Sequence, residues 1–210
     1  ITDITERKHA EDELRQAEQK YRSIFENAVE GIFQTSPEGH YVTVNPMLAK
    51  IYGYDSPEEL IDSIRDIEHQ LYVRPSRRFQ FKRLLEEQDA VWAFESQVYR
   101  KDGSIIWISE NARAIRDETG QLLGYEGTVE DITRRKQAEA EIHKRDLLLQ
   151  GVADAMNHLL VDSDRHMGTV EALRTLGIAA RVDRVYICEN HPHPETGEPS
   201  TSMRFEWTRE

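Results

Sequence analysis

Cys188, His191 and His193 place a thiol and two imidazoles close together, and these are ligand types that a zinc ion takes. Pro192, Pro194 and Thr196-Gly197 interleave them with turn-forming residues, so the stretch reads as a hairpin loop in which no metal is expected. His158 and His166 flank Asp162 and Asp164, a pattern that fits a polar connection ending a helix. His143 lies beside Lys144 and Arg145, and His69 sits among polar residues. No glycine-rich phosphate loop and no nucleophile elbow occurs. With no nucleophile, base and oxyanion donors in any recognisable constellation, the expectation is a segment that is not an enzyme, with no catalytic residue and no metal.

The composition narrows the partners. In 210 residues, 39 Asp and Glu stand against 27 Lys and Arg, a formal net charge of -12, whose summed field repels nucleic acid phosphates and anionic lipid. No nucleic acid partner is expected. Cys188 is the only cysteine, which excludes an internal disulfide framework and fits a reducing, cytoplasmic setting. No apolar run approaches the ~18 residues of a spanning helix and no signal peptide opens the chain, so no membrane contact is expected of this segment. It begins at Ile1 without an initiator Met and stops at Glu210, which leaves room for anchors and output domains outside it.

The elements that carry these residues are organised around a repeat. Asp3-Ile4-Thr5-Glu6-Arg7-Lys8 returns, a domain length later, as Asp131-Ile132-Thr133-Arg134-Arg135-Lys136, and both copies run into Ala/Glu/Gln-rich sequence. Ala10, Leu14, Ala17, Tyr21, Ile24 and Ala28 alternate by four and three after the first copy. Ala138, Ile142, Arg145, Leu149, Val152, Met156 and Leu159 do so after the second. That spacing describes a coiled-coil seam. Leu14 and Ile142 stand equally far beyond their aspartates, so the two helices leave in the same phase. The alternative is an amphipathic helix packed on its own domain, and Arg145 weakens the seam.

Between the copies the pattern is α+β. Gly31-Ile-Phe-Gln-Thr and His40-Tyr-Val-Thr-Val read as a hairpin turned by Ser36-Pro37-Glu38-Gly39. Asn45-Pro46 starts a helix that carries Met47, Leu48, Ile51 and Tyr52 on one face. Ser56-Pro57-Glu58-Glu59 is a capping box opening a second, through Leu60 and Ile64. A third helix is expected after Pro75 and Ser76, with Phe79, Phe81, Leu84 and Leu85. Three strands follow: Phe94 to Val98, Ser104 to Ile115 after the Asp102-Gly103 turn, and Leu123 to Val129 after Thr119-Gly120.

In order, these residues resemble a PAS domain with its C-terminal PAC motif. The resemblance is carried by Tyr21-Arg-Ser-Ile-Phe-Glu-Asn-Ala, Gly31-Ile-Phe-Gln-Thr, Val44-Asn-Pro-Met-Leu-Ala and Tyr52-Gly-Tyr. Tyr99-Arg-Lys-Asp-Gly103 with Trp107 and Gly127-Thr-Val-Glu-Asp-Ile-Thr133 complete it. It implies a five-stranded antiparallel sheet with helices on one face, enclosing a pocket whose signal leaves through the Asp-Ile-Thr junction. Relatives often carry Asp where this chain has Arg74, so Ser76 is the expected cap of the third helix. Phe33, Asn45, Met47, Leu48, Ile51, Tyr52, Leu71, Phe81, Leu85, Phe94, Trp107 and Ser109 are the candidate pocket residues, with Asn45 and Ser109 as the polar contacts. The other reading is that these side chains fill the space completely.

The resemblance also bears on cofactors. A haem PAS holds iron through a His on the third helix, and Phe79 to Glu87 contains none, His69 being read as exposed. A photochemical flavin PAS needs a cysteine beside the flavin, and Cys188 lies outside the domain. Trp92 and Trp107 are read as core aromatics rather than flavin-stacking ones. No cofactor is expected.

Val152 to Glu210 resembles the opening of a GAF domain, carried by Ala155-Met-Asn-His-Leu-Leu, Ala172-Leu-Arg-Thr-Leu-Gly and Val182-Asp-Arg-Val-Tyr-Ile-Cys-Glu-Asn-His-Pro. Two helical segments and a hairpin are expected there, with Val185 to Ile187 and Met203 to Trp207 as strands. The incomplete sheet should make this the less stable half, open to self-association. The resulting division is 1–20, the end of a preceding module and linker helix; 21–133, PAS; 134–161, a signalling linker helix; and 162–210, an incomplete GAF-like α/β segment. The functional expectation is a sensory input module of a bacterial signalling protein, a sensor histidine kinase first and a nucleotide cyclase as alternative. It would homodimerise through PAS and linker (Ile142, Leu149, Val152, Met156 and Leu159), take a small-molecule ligand, and relay through Asp131, Ile132 and Thr133 to a downstream output domain. A ligand-free dimerisation scaffold is the other class.

Overall fold

The computed structural model describes residues 2–161 and 164–209, with side chains for residues 8, 9, 11–161 and 164–209. Asp162, and the side chains of Asp3, Ile4, Thr5 and Ala10 in the first junction and seam, lie outside the described residues. The chain forms two compact units, 1–136 and 137–210.

The first unit starts with helix α1 (Thr2–Glu26), which ends before Ala28, so that residue is not part of a helical seam. Strands β1 (Gly31–Thr35) and β2 (Tyr41–Val44) form the hairpin expected, with Gly39 taking the left-handed conformation its turn requires. Short helices follow because polar caps and prolines start each one. Asn45 caps α2 (Pro46–Tyr52), Ser56 caps α3 (Pro57–Ser63) and Asp66 caps the single turn α4 (Ile67–Gln70), which the sequence pattern did not reveal. Helix α5 (Pro75–Gln88) begins at Arg74 with no side-chain cap. Pro75 presets its first position, and Ser76 lies inside the first turn rather than capping it.

Strands β3 (Ala90–Tyr99), β4 (Ile105–Arg116) and β5 (Leu122–Asp131) complete an antiparallel sheet of order β2-β1-β5-β4-β3. The helix-facing side carries the core, including Phe33, Val44, Phe94, Val98, Ile106, Ile108 and Val129, against Leu48, Tyr52, Leu60, Leu71, Phe81 and Leu85. Phe81 and Phe94 meet edge to face with ring centres 5.3 Å apart. Gly127 has no room for a side chain, since a Cβ there would come within 2.1 Å of the Asn111 carbonyl.

Phe79 and Trp92 depart from the expected core. Phe79 is exposed on α5, and Trp92 is 75% exposed. The cause at Trp92 is a bulge between Val91 and Phe94, where Ala93 adopts φ 50 and its N–H donates to Asn111 Oδ1 at 2.8 Å. A bulge interrupts the alternation from which strand faces are read.

Helix α6 (Thr133–Val161) leaves the sheet and runs into the second unit. There α7 (Arg165–Ala180), capped by Asp164, packs on the hairpin of β6 (Arg184–Pro192) and β7 (Pro199–Thr208). Gly151 lies against Ala179 of α7, and Gly151 and Ala155 are buried residues of α6. His191 Nε2 lies 2.6 Å from Ser202 Oγ. Among the described residues no cluster of three metal-ligating side chains occurs, and no helix is long and apolar enough to cross a membrane.

Candidate functional site

The candidate pocket residues divide between the two faces of the sheet. Phe33, Leu48, Tyr52, Leu71, Phe81, Leu85 and Phe94 lie in the buried core with Ile51, and Met47 packs against them half-buried. Trp107 and Ser109 do not join them. The β3–β4 register pairs Trp107 with Gln97 and Ser109 with Glu95, on the face opposite Ile106, Ile108 and Glu110. Lys136 sits over the Trp107 ring at 5.5 Å, so this tryptophan belongs to the surface on which α6 starts.

Asn45 is fully buried, but its amide is already occupied. Its oxygen accepts from the N–H of Leu48 at 2.9 Å and of Ile32 at 2.8 Å, while its nitrogen donates to the carbonyls of Phe25 at 3.1 Å and Glu30 at 3.0 Å. One side chain thus ties the end of α1, β1 and the start of α2 together.

The polar group that does face the interior is Glu110, which the sequence reading did not single out. Tyr72 donates its hydroxyl hydrogen bond to Glu110 Oε2, and Arg78 lies nearby, 3% exposed, with its guanidinium 5.0 Å from the centre of the Phe81 ring. Burial pushes the Glu110 carboxyl above its usual range, although Arg78 and the Tyr72 hydrogen bond oppose the shift. Burial likewise pushes the phenols of Tyr41, Tyr52 and Tyr72 up, and the Glu110 charge adds to this in all three. A sequence signal existed: Glu110 continues the inward alternation of Ile106 and Ile108, and Arg78 precedes Phe81 and Leu85 on one helix face.

A groove of about 410 Å³ lies on the other side of the sheet, where Tyr21, Ile24 and Phe25 of α1 face Ile32, Thr128 and Trp92. His69 is exposed and pairs with Asp66 at 2.8 Å.

At the end of β5 the junction residues are fastened to the sheet. Asp131 Oδ1 accepts from the Thr133 N–H at 2.9 Å, and its other oxygen meets Arg100 Nη2 at 2.8 Å. The Trp107 N–H donates to Thr133 Oγ1 at 2.9 Å, the Ile132 N–H donates to the Trp107 carbonyl at 2.9 Å, and Ile132 is buried. Glu95 then receives both Arg135 at 2.8 Å and Lys136 at 2.5 Å. Arg100 also donates to the Ile51 carbonyl at the end of α2, which links the junction to the helical side of the core. Asp131→Ala is expected to remove ~0.5 to 2 kcal/mol from this fastening, the range for a lost cap. Amide exchange should quicken across 134–141 while the sheet keeps its protection. Unchanged exchange there would count against the fastening.

A five-stranded antiparallel sheet with short helices across one face and a helix leaving its last strand defines a PAS-type sensory module, a class that is not itself catalytic. A family model for the PAS domain matches residues 29–134, and the chain belongs to the PAS domain family. The methanogenesis regulatory histidine kinase FilI of Methanothrix harundinacea is 32% identical over 196 residues, covering 93% of this chain and 22% of that protein. The sensor histidine kinase TmoS of Ectopseudomonas mendocina is 24% identical over 135 residues, covering 62% of this chain and 13% of that protein. The chain therefore spans less than a quarter of either relative. Among solved structures, an RNA-binding light-oxygen-voltage receptor shares the fold at TM-score 0.51 and 20% identity, over 62% of this chain and 37% of that one.

Proposed function

We propose that this chain is the sensory input segment of a histidine kinase, in which the PAS domain passes a change in its interior through Asp131, Ile132 and Thr133 into α6. The observation that carries the reading is the junction itself. Arg100 spans from the end of α2 to Asp131, so movement of the helical side reaches the first turn of α6 through hydrogen bonds already in place. The resemblance to a histidine kinase along nearly the whole chain supports the choice of output over a cyclase. On this reading residues 162–210 open a GAF domain, and the segment works in the cytoplasm as a parallel homodimer.

The dimer rests on α6. Ile142, Leu149, Val152, Met156 and Leu159 are between 45% and 61% exposed, an apolar stripe left uncovered while Gly151 and Ala155 are buried. Burying an aliphatic side chain contributes roughly 1.5 to 3 kcal/mol, so Leu149→Asp should shift analytical ultracentrifugation of the 210-residue chain toward monomer. One residue inserted after Ala140 turns the downstream stripe by about 100° and should change or abolish regulation in the parent kinase. Seven inserted residues restore the phase and should largely preserve it. If the two insertions act alike, α6 is only a tether. The close packing of Leu48, Tyr52 and Leu85 favours a second reading, a ligand-free PAS scaffold that sets the spacing of its neighbours.

A further inference from the structure

A cavity of about 430 Å³ lies at the β3 edge of the sheet, lined by Arg74 and Arg77 at the start of α5, Glu95, Ser96 and Gln97 of β3, and Trp107 of β4. Its donors are only partly used. Arg77 donates to the Glu95 carbonyl and, at 2.8 Å, to Gln80 Oε1. The side chains of Arg74 and Gln97 have no hydrogen-bonding or ionic partner among the described residues, and the Ser96 hydroxyl is buried without one. The charge around the cavity is positive. The Glu95 carboxylate is already matched by Arg135 and Lys136 of α6, so with Arg74 and Arg77 four cations gather round one carboxylate, on a chain whose net charge is -12. A cleft lined by an excess of one sign concentrates small ions of the other.

We infer that this cavity is a site for a small phosphate ester, separate from the interior of the PAS domain. Guanidinium groups grip phosphoryl oxygens through paired hydrogen bonds, and the open Arg74 fork supplies them. A phosphate monoester carries about -1.5 to -2 charge near neutrality, which answers the surplus of cations better than a monocarboxylate does. Half-buried Trp107 offers an apolar wall for the organic part. The overall negative charge repels polyanions, which confines the ligand to a small one. Glu95 and Trp107 also hold the first turn of α6, the one through Arg135 and Lys136, the other through its hydrogen bonds with Ile132 and Thr133. A phosphoryl group bound beside them would therefore act on the junction directly, a consequence that rests on the relay proposed above, whereas the site itself does not.

The test follows the Trp107 indole N–H resonance in the intact 210-residue chain, assigned by its loss in Trp107→Phe, during titration with inorganic phosphate and with phenyl phosphate. Sodium chloride and sodium acetate at matched ionic strength serve as controls. A saturable shift with both phosphates is expected, tighter for phenyl phosphate, with the Trp207 indole unmoved. Binding should weaken at least about tenfold, or 1.4 kcal/mol, in Arg74→Gln, whose exposed and unengaged side chain can be replaced without disturbing the fold. A resonance that responds equally to chloride, that stays unmoved up to roughly 50 mM, where a millimolar site is saturated, or that titrates unchanged in Arg74→Gln overturns the site. Acetate binding as tightly as phosphate overturns the phosphoryl assignment. If the phosphates fail while the single insertion after Ala140 still alters kinase output, the site falls and the relay stands. If they bind while that insertion is silent, the site stands and the relay falls.

Discussion

Asn45→Ala is expected to lower the stability of the first unit by about 3 kcal/mol or more, out of the 5 to 15 typical of a domain. The side chain makes four hydrogen bonds from a fully buried position. Losing a helix cap contributes roughly 1 kcal/mol. Alanine also leaves the Ile32 N–H and the carbonyls of Phe25 and Glu30 without this partner, and each unsatisfied buried group costs about 1 to 3 kcal/mol where water does not replace the amide. Urea unfolding should show a large fall in midpoint with an unchanged slope, the signature of lost stability without a changed denatured state. Asn45→Asp keeps the two acceptor contacts and loses both donor contacts, so it should fall between the two. A loss below about 1 kcal/mol in Asn45→Ala would mean that water replaces the amide.

Asn45 also shows what was legible beforehand and what was not. Its role as cap followed from the Asn-Pro pair, because capping is local and depends on residues three positions apart. Its contacts to Phe25 and Glu30 are tertiary, and no local pattern encodes them; reading it as a free polar contact of a pocket therefore went astray. The strands and their order were legible because alternation and turn residues are also local. Facing is more fragile. Taking Trp107 and Ser109 as inward inverted the β4 alternation, since a shift of one residue sends every side chain to the other face, and hydrophobicity alone misled because the two outward residues are an aromatic and a small hydroxyl. Glu110 was overlooked for the complementary reason: a carboxylate is assigned to the surface by default, and only its phase with Ile106 and Ile108 argued otherwise. The junction was legible as a repeated motif, whereas its partner Arg100 came from a distant turn.

Glu110 and Arg78 form an unequal pair of buried charges, and the inequality is measurable. Glu110→Ala should destabilise the first unit by about 3 kcal/mol, the lower end of the range for stranding a buried charge. It removes the acceptor of Tyr72 and the carboxylate whose charge acts on Arg78. Arg78 has no way out, because a guanidinium stays protonated at any accessible pH. Arg78→Met should be milder, because the stranded carboxyl neutralises itself by taking up a proton. The pH dependence follows from the direction of the Glu110 shift. A carboxyl whose folded value is raised binds its proton more tightly in the folded state, so its contribution to stability is fully present below its unfolded value and is lost as pH rises through the folded value. In the native chain Arg78 limits that loss. In Arg78→Met the limit is gone, so the folded value of Glu110 rises further and the variant should lose more stability than the native chain as pH climbs from the acid range toward neutrality. Glu110→Ala should lack this component of the slope altogether. Combining Arg78→Met with Glu110→Leu replaces both charges by apolar groups and should recover most of the loss seen in Glu110→Ala, since a buried pair exchanged for packed hydrophobic residues is often neutral or stabilising. Equal losses in the two single variants at every pH, or no recovery in the double variant, would show that Glu110 acts through its hydrogen bond to Tyr72 alone and that its charge does not balance Arg78.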